Sequence, residues 1–161
     1  MEGRFEIAVN GASRTVEADS DTALLYVLRN TLGLKGSRFG CGHEQCGACM
    51  VLVDGKPSYA CTLPVSAALG KRVTTVEGLG TADAPHPLQQ AFLSEQAGQC
   101  GYCLSGILIS AAALLAGNPN PSRAEVVAAL EPHLCRCGAH NRIVRAVLRA
   151  ATALRGEAVS A

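Results

Sequence analysis

The chain contains no tryptophan, and aromatic residues make up only 4% of its 161 positions. A hydrophobic core must therefore be built from aliphatic side chains, which the hydrophobic fraction of 48% supplies. A basic excess is also absent, because 14 Lys and Arg residues oppose 13 Asp and Glu residues and the net charge is +1. This balance argues against a dedicated nucleic-acid-binding protein.

Long hydrophobic runs are missing as well. The longest apolar stretch, residues 106–117, is shorter than the roughly 20 residues that a transmembrane helix needs. Residues 1–5 show neither the basic nor the apolar region of a secretory signal. We therefore expect a cytoplasmic chain without a membrane span. In that compartment the eight cysteines are more often metal ligands than disulfides.

The first half of the chain is predicted to be a small α+β unit. Asn10-Gly11 is a strong hairpin signal between two alternating segments. Ser20 and Asp21 are predicted to cap a helix of leucines at helical spacing, which Gly33 ends. The predicted strands cover residues 5–9, 13–17, 50–53, 58–61 and 73–76.

The composition changes after residue 78, where glycine and proline cluster as in a linker. We predict a first domain over residues 1–78, a linker over 79–86 and a helical domain over 87–161. Four short helices that bury one face each are expected to pack as a bundle. The predicted helices cover residues 88–97, 102–116, 122–130 and 140–154, the third opened by a capping box of Ser122 and Glu125.

The first four cysteines follow the spacing of a plant-type [2Fe–2S] site, in which C-x4-C-x2-C is followed by a distant fourth ligand. They are Cys41, Cys46, Cys49 and Cys61. Glycines 36, 40, 42 and 47 surround the first three and permit tight turns around a cluster. Backbone N–H groups in such a loop can point at sulfur and stabilise its negative charge.

The second four cysteines form two close pairs, Cys100-x2-Cys103 and Cys135-x-Cys137. Each pair lies at a predicted helix start or between two helices, where N–H groups favour anionic thiolates. A structural zinc site also uses four thiolates with C-x2-C spacing, so the spacing alone leaves iron and zinc open.

The segments around both sets resemble a known family. Gln99-Cys100-Gly101-Tyr102-Cys103 and Cys135-Arg136-Cys137-Gly138 resemble the helical domain of the iron–sulfur subunit in the xanthine oxidase-related molybdenum hydroxylases. Phe39-Gly40-Cys41-Gly42 and Gln45-Cys46-Gly47-Ala48-Cys49 resemble its ferredoxin-like domain. The resemblance spans about residues 5–150, and is nearest to small subunits of the nicotinate dehydrogenase and isoquinoline 1-oxidoreductase type. It implies a β-grasp domain, then a four-helix bundle, with a [2Fe–2S] cluster on each.

The resemblance also implies a function and partners. A large subunit would hold molybdopterin, in the cytosine dinucleotide form, and this non-catalytic chain would carry electrons away from it. The helical-domain cluster would lie nearer the molybdenum, and the other cluster would pass electrons to a cytochrome or flavin subunit or to a quinone. Gln99 and the backbone of Cys137 would contact the pterin. N-heteroaromatic compounds are the first expectation for the substrate, and aldehydes the second.

Other residues leave alternatives open. His140 stands where many relatives carry tyrosine, and it either tunes the nearby cluster or a contact with the large subunit, or is a polar helix-start residue. His43, His86 and His133 are interpreted as polar loop residues. The arginines between residues 136 and 155, near the C-terminus, form either a solvated helix face or a face on which a partner docks. For the whole chain, a free-standing ferredoxin-like carrier and a zinc-stapled interaction module are the competing functions.

Overall fold

Five strands form one mixed sheet in the first half of the computed structural model, which describes residues 2–157. The strands are β1 (Glu2–Val9), β2 (Ala12–Asp19), β3 (Met50–Val53), β4 (Lys56–Tyr59) and β5 (Arg72–Thr74). Their order is β2-β1-β5-β3-β4. The central pair β1 and β5 is parallel, and the other neighbours are antiparallel. This confirms the predicted ferredoxin-like half.

Two tight turns determine the register of the hairpins. Asn10 and Gly11 have φ values of 51° and 79°, and Asp54 and Gly55 have 48° and 79°. Both central residues are thus left-handed, as a two-residue hairpin turn requires. Because Val53 pairs directly with Lys56, β4 begins immediately after its turn. The predicted strand over 58–61 is therefore displaced by two residues. The strand predicted over 73–76 likewise starts and ends earlier, at Arg72–Thr74.

A helical segment covers one face of this sheet. It consists of α1 (Leu24–Tyr26) and a wider π-helical turn (Val27–Thr31). The predicted caps Ser20 and Asp21 are wrong, because Ala23 precedes the first helical residue and no side chain caps the N-terminus. Buried leucines of the segment pack with strand residues in the first core. That core contains Ile7, Val9, Val16, Leu24, Leu25, Leu28, Val51 and Val53, among others.

Four helices form the second half, as predicted. They are α2 (Pro87–Ser94), α3 (Leu104–Gly117), α4 (Arg123–Leu130) and α5 (His140–Leu154). The capping box of Ser122 and Glu125 at the start of α4 is confirmed. A second core joins the four helices, and Val76 and Leu79 also pack against it. The domain boundaries at 78 and 87 remain predictions.

The arginines of α5 are largely engaged within the helical domain. Glu95, which directly follows α2, lies 3.1 Å from Arg145 and 3.5 Å from Arg149. Arg142 donates to the carbonyl of Gln96 at 3.5 Å. These contacts hold α5 against the end of α2. The choice between a solvated face and a docking face remains a prediction. Within residues 2–157, no helix is both long and apolar enough to cross a membrane.

Hydrogen bonds tie the loop that carries Cys41 and Cys46 to the sheet. The Asn10 side chain donates to Thr75 Oγ1 and accepts from the Thr75 N–H, each at 2.9 Å. Thr75 Oγ1 in turn donates to Glu77 at 2.6 Å, and Glu77 accepts from the Gly36 N–H at 2.7 Å. The start of the loop is thereby anchored to the hairpin turn and to the segment that leads to the helices.

The two halves meet where two glycines come into close contact. A Cβ atom at Gly106 in α3 would lie 2.0 Å from the carbonyl oxygen of Gly47. A Cβ atom at Gly47, where φ is +71°, would lie 2.2 Å from Nδ1 of His133. Only glycine permits this approach, because the opposing atoms belong to backbone or to a buried ring.

We predict that Gly106→Ala destabilises the chain, because the new methyl group meets backbone that has no room to move. Overpacking of this kind costs about 2 kcal/mol. For a chain of this size, the thermal-unfolding midpoint should fall by about 4–8 °C. Circular dichroism of the purified variant measures this shift.

Gly117→Ala in the same helix is the matched control, because nothing lies within 4 Å of a Cβ atom there. Its midpoint should be unchanged or slightly raised, since alanine favours helix over glycine by about 1 kcal/mol. Equal midpoints for the two variants would contradict the described contact between the halves.

Candidate metal centres at the domain seam

The first cysteine set lies around the start of β3. Cys41 and Cys46 are in the loop that follows the first helical segment, Cys49 directly precedes β3, and Cys61 follows β4. The thiol of Cys41 is within hydrogen-bond reach of Cys46, and that of Cys49 is within reach of Cys61. The structure therefore brings the four predicted residues together as two pairs.

Backbone N–H groups surround the outer pair of this set. The Gln45 N–H donates to Cys41 Sγ at 3.2 Å. The N–H of His43 has the largest influence and, with that of Gln45, lowers the pKa of Cys41 to about 6. Burial instead raises the pKa of Cys49 to about 12. The loop is thus built to stabilise negative charge on sulfur at its exposed end and to exclude water at its inner end.

The loop glycines have the roles that the sequence predicts. A Cβ atom at Gly40 would lie 2.6 Å from Cys46 Sγ, so any other residue would displace that sulfur. Gly42 has a φ of +73°, which few other residues adopt. Both glycines therefore allow the backbone to wrap closely around the thiols.

The second cysteine set lies at the starts of two helices. Cys100 and Cys103 precede α3, and Cys135 and Cys137 lie in the connection from α4 to α5. The thiols again form two pairs, Cys100 with Cys137 and Cys103 with Cys135. Cys100 is exposed, whereas Cys103 is 8% exposed and burial raises its pKa to about 12.

This pairing fits a two-iron cluster better than a single metal ion. A structural zinc ion gathers four ligands around one centre. A [2Fe–2S] cluster has two irons and four thiolates, two for each iron. Two pairs of thiols in each domain therefore suit the two-iron group, although the role of each cysteine as a ligand remains a prediction.

The two cysteine sets face each other across the contact surface between the two domains, which we call the seam. The Leu134 N–H donates to the carbonyl of Cys46 at 3.1 Å, and Leu134 is the residue before Cys135. A cavity of about 170 Å³ lies at this seam, lined by Cys46 of the first set and by Cys100, Cys103 and Cys135 of the second. The two candidate centres are thus neighbours, and a backbone hydrogen bond joins the segments that carry Cys46 and Cys135.

All three histidines interpreted as polar loop residues lie outside helices and strands, but two of them have structural roles. His133 is 5% exposed, and its Nε2 lies 2.7 Å from Ser110 Oγ in α3. Burial lowers its pKa to about 4, so the imidazole is neutral at pH 7. His86 caps α2 by accepting the Leu88 N–H at 3.1 Å. His43 is exposed in the loop, as predicted, and His140 is exposed at the first residue of α5.

Gln99 lies at the surface beside the second set. Its Nε2 donates to the carbonyl of Cys137 at 3.1 Å, so both predicted pterin contacts occupy one place. The residue also borders an open groove of about 980 Å³ between the linker and the helices, whose walls include Phe92, Leu104 and Leu108. Contact of Gln99 with a cofactor remains a prediction.

Sequence reasoning missed three side chains that connect the domains. Arg38 donates to the carbonyl of Gly101 at 2.7 Å, and the hydroxyl of Tyr102 donates to the carbonyl of Phe39. His133 fills the space beside Gly47. Each of these contacts joins residues more than 60 positions apart, and nothing in the neighbouring sequence signals them.

Comparison with known proteins identifies both halves. A family described as 2Fe-2S iron-sulfur cluster binding domain matches residues 7–73, and one described as [2Fe-2S] binding domain matches residues 75–148. A nicotinate dehydrogenase subunit of Pseudomonas putida is 48% identical over 96% of this chain and 99% of its own length. The alpha subunit of isoquinoline 1-oxidoreductase from Brevundimonas diminuta is 47% identical over 91% and 97%.

Solved structures agree with the fold. A chain of quinoline 2-oxidoreductase from Pseudomonas putida 86 has a TM-score of 0.90 at 36% identity, covering 98% of this chain and 99% of that one. The aldehyde oxidoreductase from Desulfovibrio desulfuricans has a TM-score of 0.93 at 42% identity, but this chain spans only 18% of its length. The chain belongs to the family of small subunits with two [2Fe–2S] clusters in the xanthine oxidase-related molybdenum hydroxylases.

Proposed function

We propose that this chain relays single electrons from a molybdopterin centre, which a large partner subunit mainly holds, to an acceptor outside the complex. The observation that carries the proposal is the placement of two sets of paired thiols on opposite sides of one seam. When bound, each [2Fe–2S] cluster accepts and releases one electron. All eight cysteines are proposed as ligands: Cys41, Cys46, Cys49 and Cys61 for one cluster, and Cys100, Cys103, Cys135 and Cys137 for the other.

The exposure of the second set supports a direction for the relay. Cys100 is exposed and Gln99 lies beside it at the surface, which makes this end the place where a partner's cofactor can approach. Cys103 and Cys135 line the seam together with Cys100, whereas Cys137, whose carbonyl holds Gln99, is not part of that lining. Leu134 then connects Cys135 to the carbonyl of Cys46 by covalent bonds and one hydrogen bond. Electrons are thus proposed to enter at the helical domain and leave from the ferredoxin-like domain.

Gln99 and the backbone of Cys137 are proposed to touch the pterin. The side chain of Gln99 is already held by the Cys137 carbonyl, so a ligand there meets a fixed amide rather than a mobile one. The cytosine dinucleotide form of molybdopterin is the proposed cofactor of the large partner. The chemistry that this cofactor supplies is hydroxylation, which takes place outside this chain.

The names of the relatives support a substrate class. Nicotinate, isoquinoline and quinoline, after which three of them are named, are N-heteroaromatic compounds. We propose a substrate of this class, with an aldehyde as the second choice because aldehyde oxidoreductases also match. The proposed acceptor is a cytochrome or flavin subunit or a quinone, and the proposed compartment is the cytoplasm, where thiolate ligands stay reduced.

Iron analysis tests the nature of the two sites. The purified chain, in its complex, should contain about four irons and about four acid-labile sulfides, because each [2Fe–2S] cluster holds two of each. Atomic emission and sulfide determination measure these contents. Zinc in place of iron in the helical domain would identify the interaction module instead.

Cys103→Ser should abolish one of two reduced-cluster EPR signals and strongly slow turnover, because a buried thiolate of the helical-domain cluster is lost. Cys61→Ser is the matched variant in the other domain and should abolish the other signal. EPR spectra of the dithionite-reduced complexes measure both effects. Survival of both signals in either variant would show that the ligand assignment is wrong.

Gln99→Ala should leave both cluster signals intact but weaken the hold on the molybdopterin-containing subunit. Loss of one hydrogen bond is worth about 1 kcal/mol, or roughly a fivefold loss of affinity. Copurification of the large subunit, with molybdenum measured per iron, reports this change. Gln45→Ala is the matched control, since it also precedes a cysteine of a set but lies in the other domain.

A fully active chain without any large subunit would indicate a free-standing carrier.

A further inference from the structure

Arg38 belongs to the loop that carries Cys41 and Cys46, yet its side chain reaches the loop that carries Cys100 and Cys103. Its Nη1 donates to the carbonyl of Gly101 at 2.7 Å across the seam. Its guanidinium carbon lies 5.2 Å from the centre of the Tyr102 ring, which is a cation–π distance. Gly101 and Tyr102 are the two residues between Cys100 and Cys103. One side chain of the ferredoxin-like domain therefore holds the loop that carries two cysteines of the helical domain.

The peptide group between Gly101 and Tyr102 transmits this contact to sulfur. Its carbonyl accepts the hydrogen bond from Arg38, and its N–H donates to Cys100 Sγ at 3.5 Å. Because a peptide group is planar, fixing the direction of the carbonyl also fixes the direction of the N–H. A charged donor on the carbonyl further polarises the same group and strengthens the N–H···S contact.

Tyr102 is held from its other end as well. Its hydroxyl donates to the carbonyl of Phe39, whose ring stacks on Tyr26 with 6.2 Å between centroids. The backbone of Arg38 is itself fixed, because its N–H donates to the Ala48 carbonyl at 3.0 Å. Arg38 and Tyr102 are thus each held by a further contact with the ferredoxin-like domain.

The positive charge of Arg38 acts on the second set. Its guanidinium group lies against Gly101 and Tyr102, the two residues that directly follow Cys100 in the chain. Reduction of a [2Fe–2S] cluster adds one negative charge, so a nearby cation stabilises the reduced form. Both effects of Arg38 therefore act in the same direction.

We propose that Arg38 is a positioning residue that raises the reduction potential of the cluster at Cys100, Cys103, Cys135 and Cys137. It does so by fixing the Gly101–Tyr102 peptide against sulfur and by placing one positive charge beside it. The inference rests on the proposed function. Because Arg38 comes from the ferredoxin-like domain, the reduction potential of the helical-domain cluster would depend on the contact between the two domains.

The test is a redox titration of the intact complex, in which EPR follows the two reduced clusters separately. In Arg38→Met, the ratio of reduced to oxidised helical-domain cluster, measured at the wild-type midpoint potential, should fall about tenfold. This corresponds to about 59 mV for a one-electron centre. The midpoint of the ferredoxin-domain cluster should move much less.

Two further variants separate the hydrogen bond from the charge. Arg38→Gln keeps an amide donor without charge, and Arg38→Lys keeps the charge without the planar fork. Each should recover part of the tenfold loss. Arg29→Met is the matched control, because among the described residues Arg29 donates to the Lys35 and Ser37 carbonyls, which lie in the ferredoxin-like domain. It should leave the helical-domain midpoint unchanged.

Three results would overturn the inference: a ratio in Arg38→Met within twofold of wild type, equal shifts of both clusters, or the same shift in Arg29→Met. If Arg38→Met fails to assemble the second cluster, wild-type midpoints in both Arg38→Gln and Arg38→Lys would likewise overturn it. A wild-type complex without two one-electron EPR signals contradicts the proposed function instead, so the two failures are distinguishable.

Discussion

At the seam between the domains, the Cys46 carbonyl accepts the Leu134 N–H at 3.1 Å, and the Gly47 carbonyl lies against Gly106 of α3. The rest of the structure depends on this close approach of two backbones. It brings Cys46 and Gly47 next to Leu134, the residue that precedes Cys135. Side chains larger than hydrogen at either glycine would separate the two sets, so the distance for electron transfer is set by backbone packing.

Each domain contributes a different part of the site. The ferredoxin-like loop supplies N–H groups that stabilise thiolate at Cys41, and the sheet and its anchored loop hold that geometry. The helical domain places its cysteines at the starts of two helices and buries Cys103 under the bundle. Neither domain completes the pathway alone, because the cavity between the sets takes its lining from both. A buried, neutral His133 completes the packing at the seam.

Local patterns predict the fold and the first cysteine set, because hairpin turns, helix periodicity and C-x4-C-x2-C spacing are short-range features. The strand after Asp54-Gly55 is displaced from its predicted position because the turn type, rather than β propensity, decides where pairing starts. The spacing of the second set is ambiguous between iron and zinc, since only the three-dimensional structure shows its thiols as two pairs. Arg38 and His133 could not be predicted, because their partners lie far away in sequence and across the seam.

Both clusters are proposed to lie next to each other across one seam and to act as a single relay. Pulsed EPR of the fully reduced complex tests this proposal most directly, because two nearby electron spins couple magnetically. We predict a dipolar splitting of both cluster signals, which disappears from the remaining signal in Cys103→Ser. Two uncoupled signals in the wild-type complex would contradict the account, because they would place the clusters far apart.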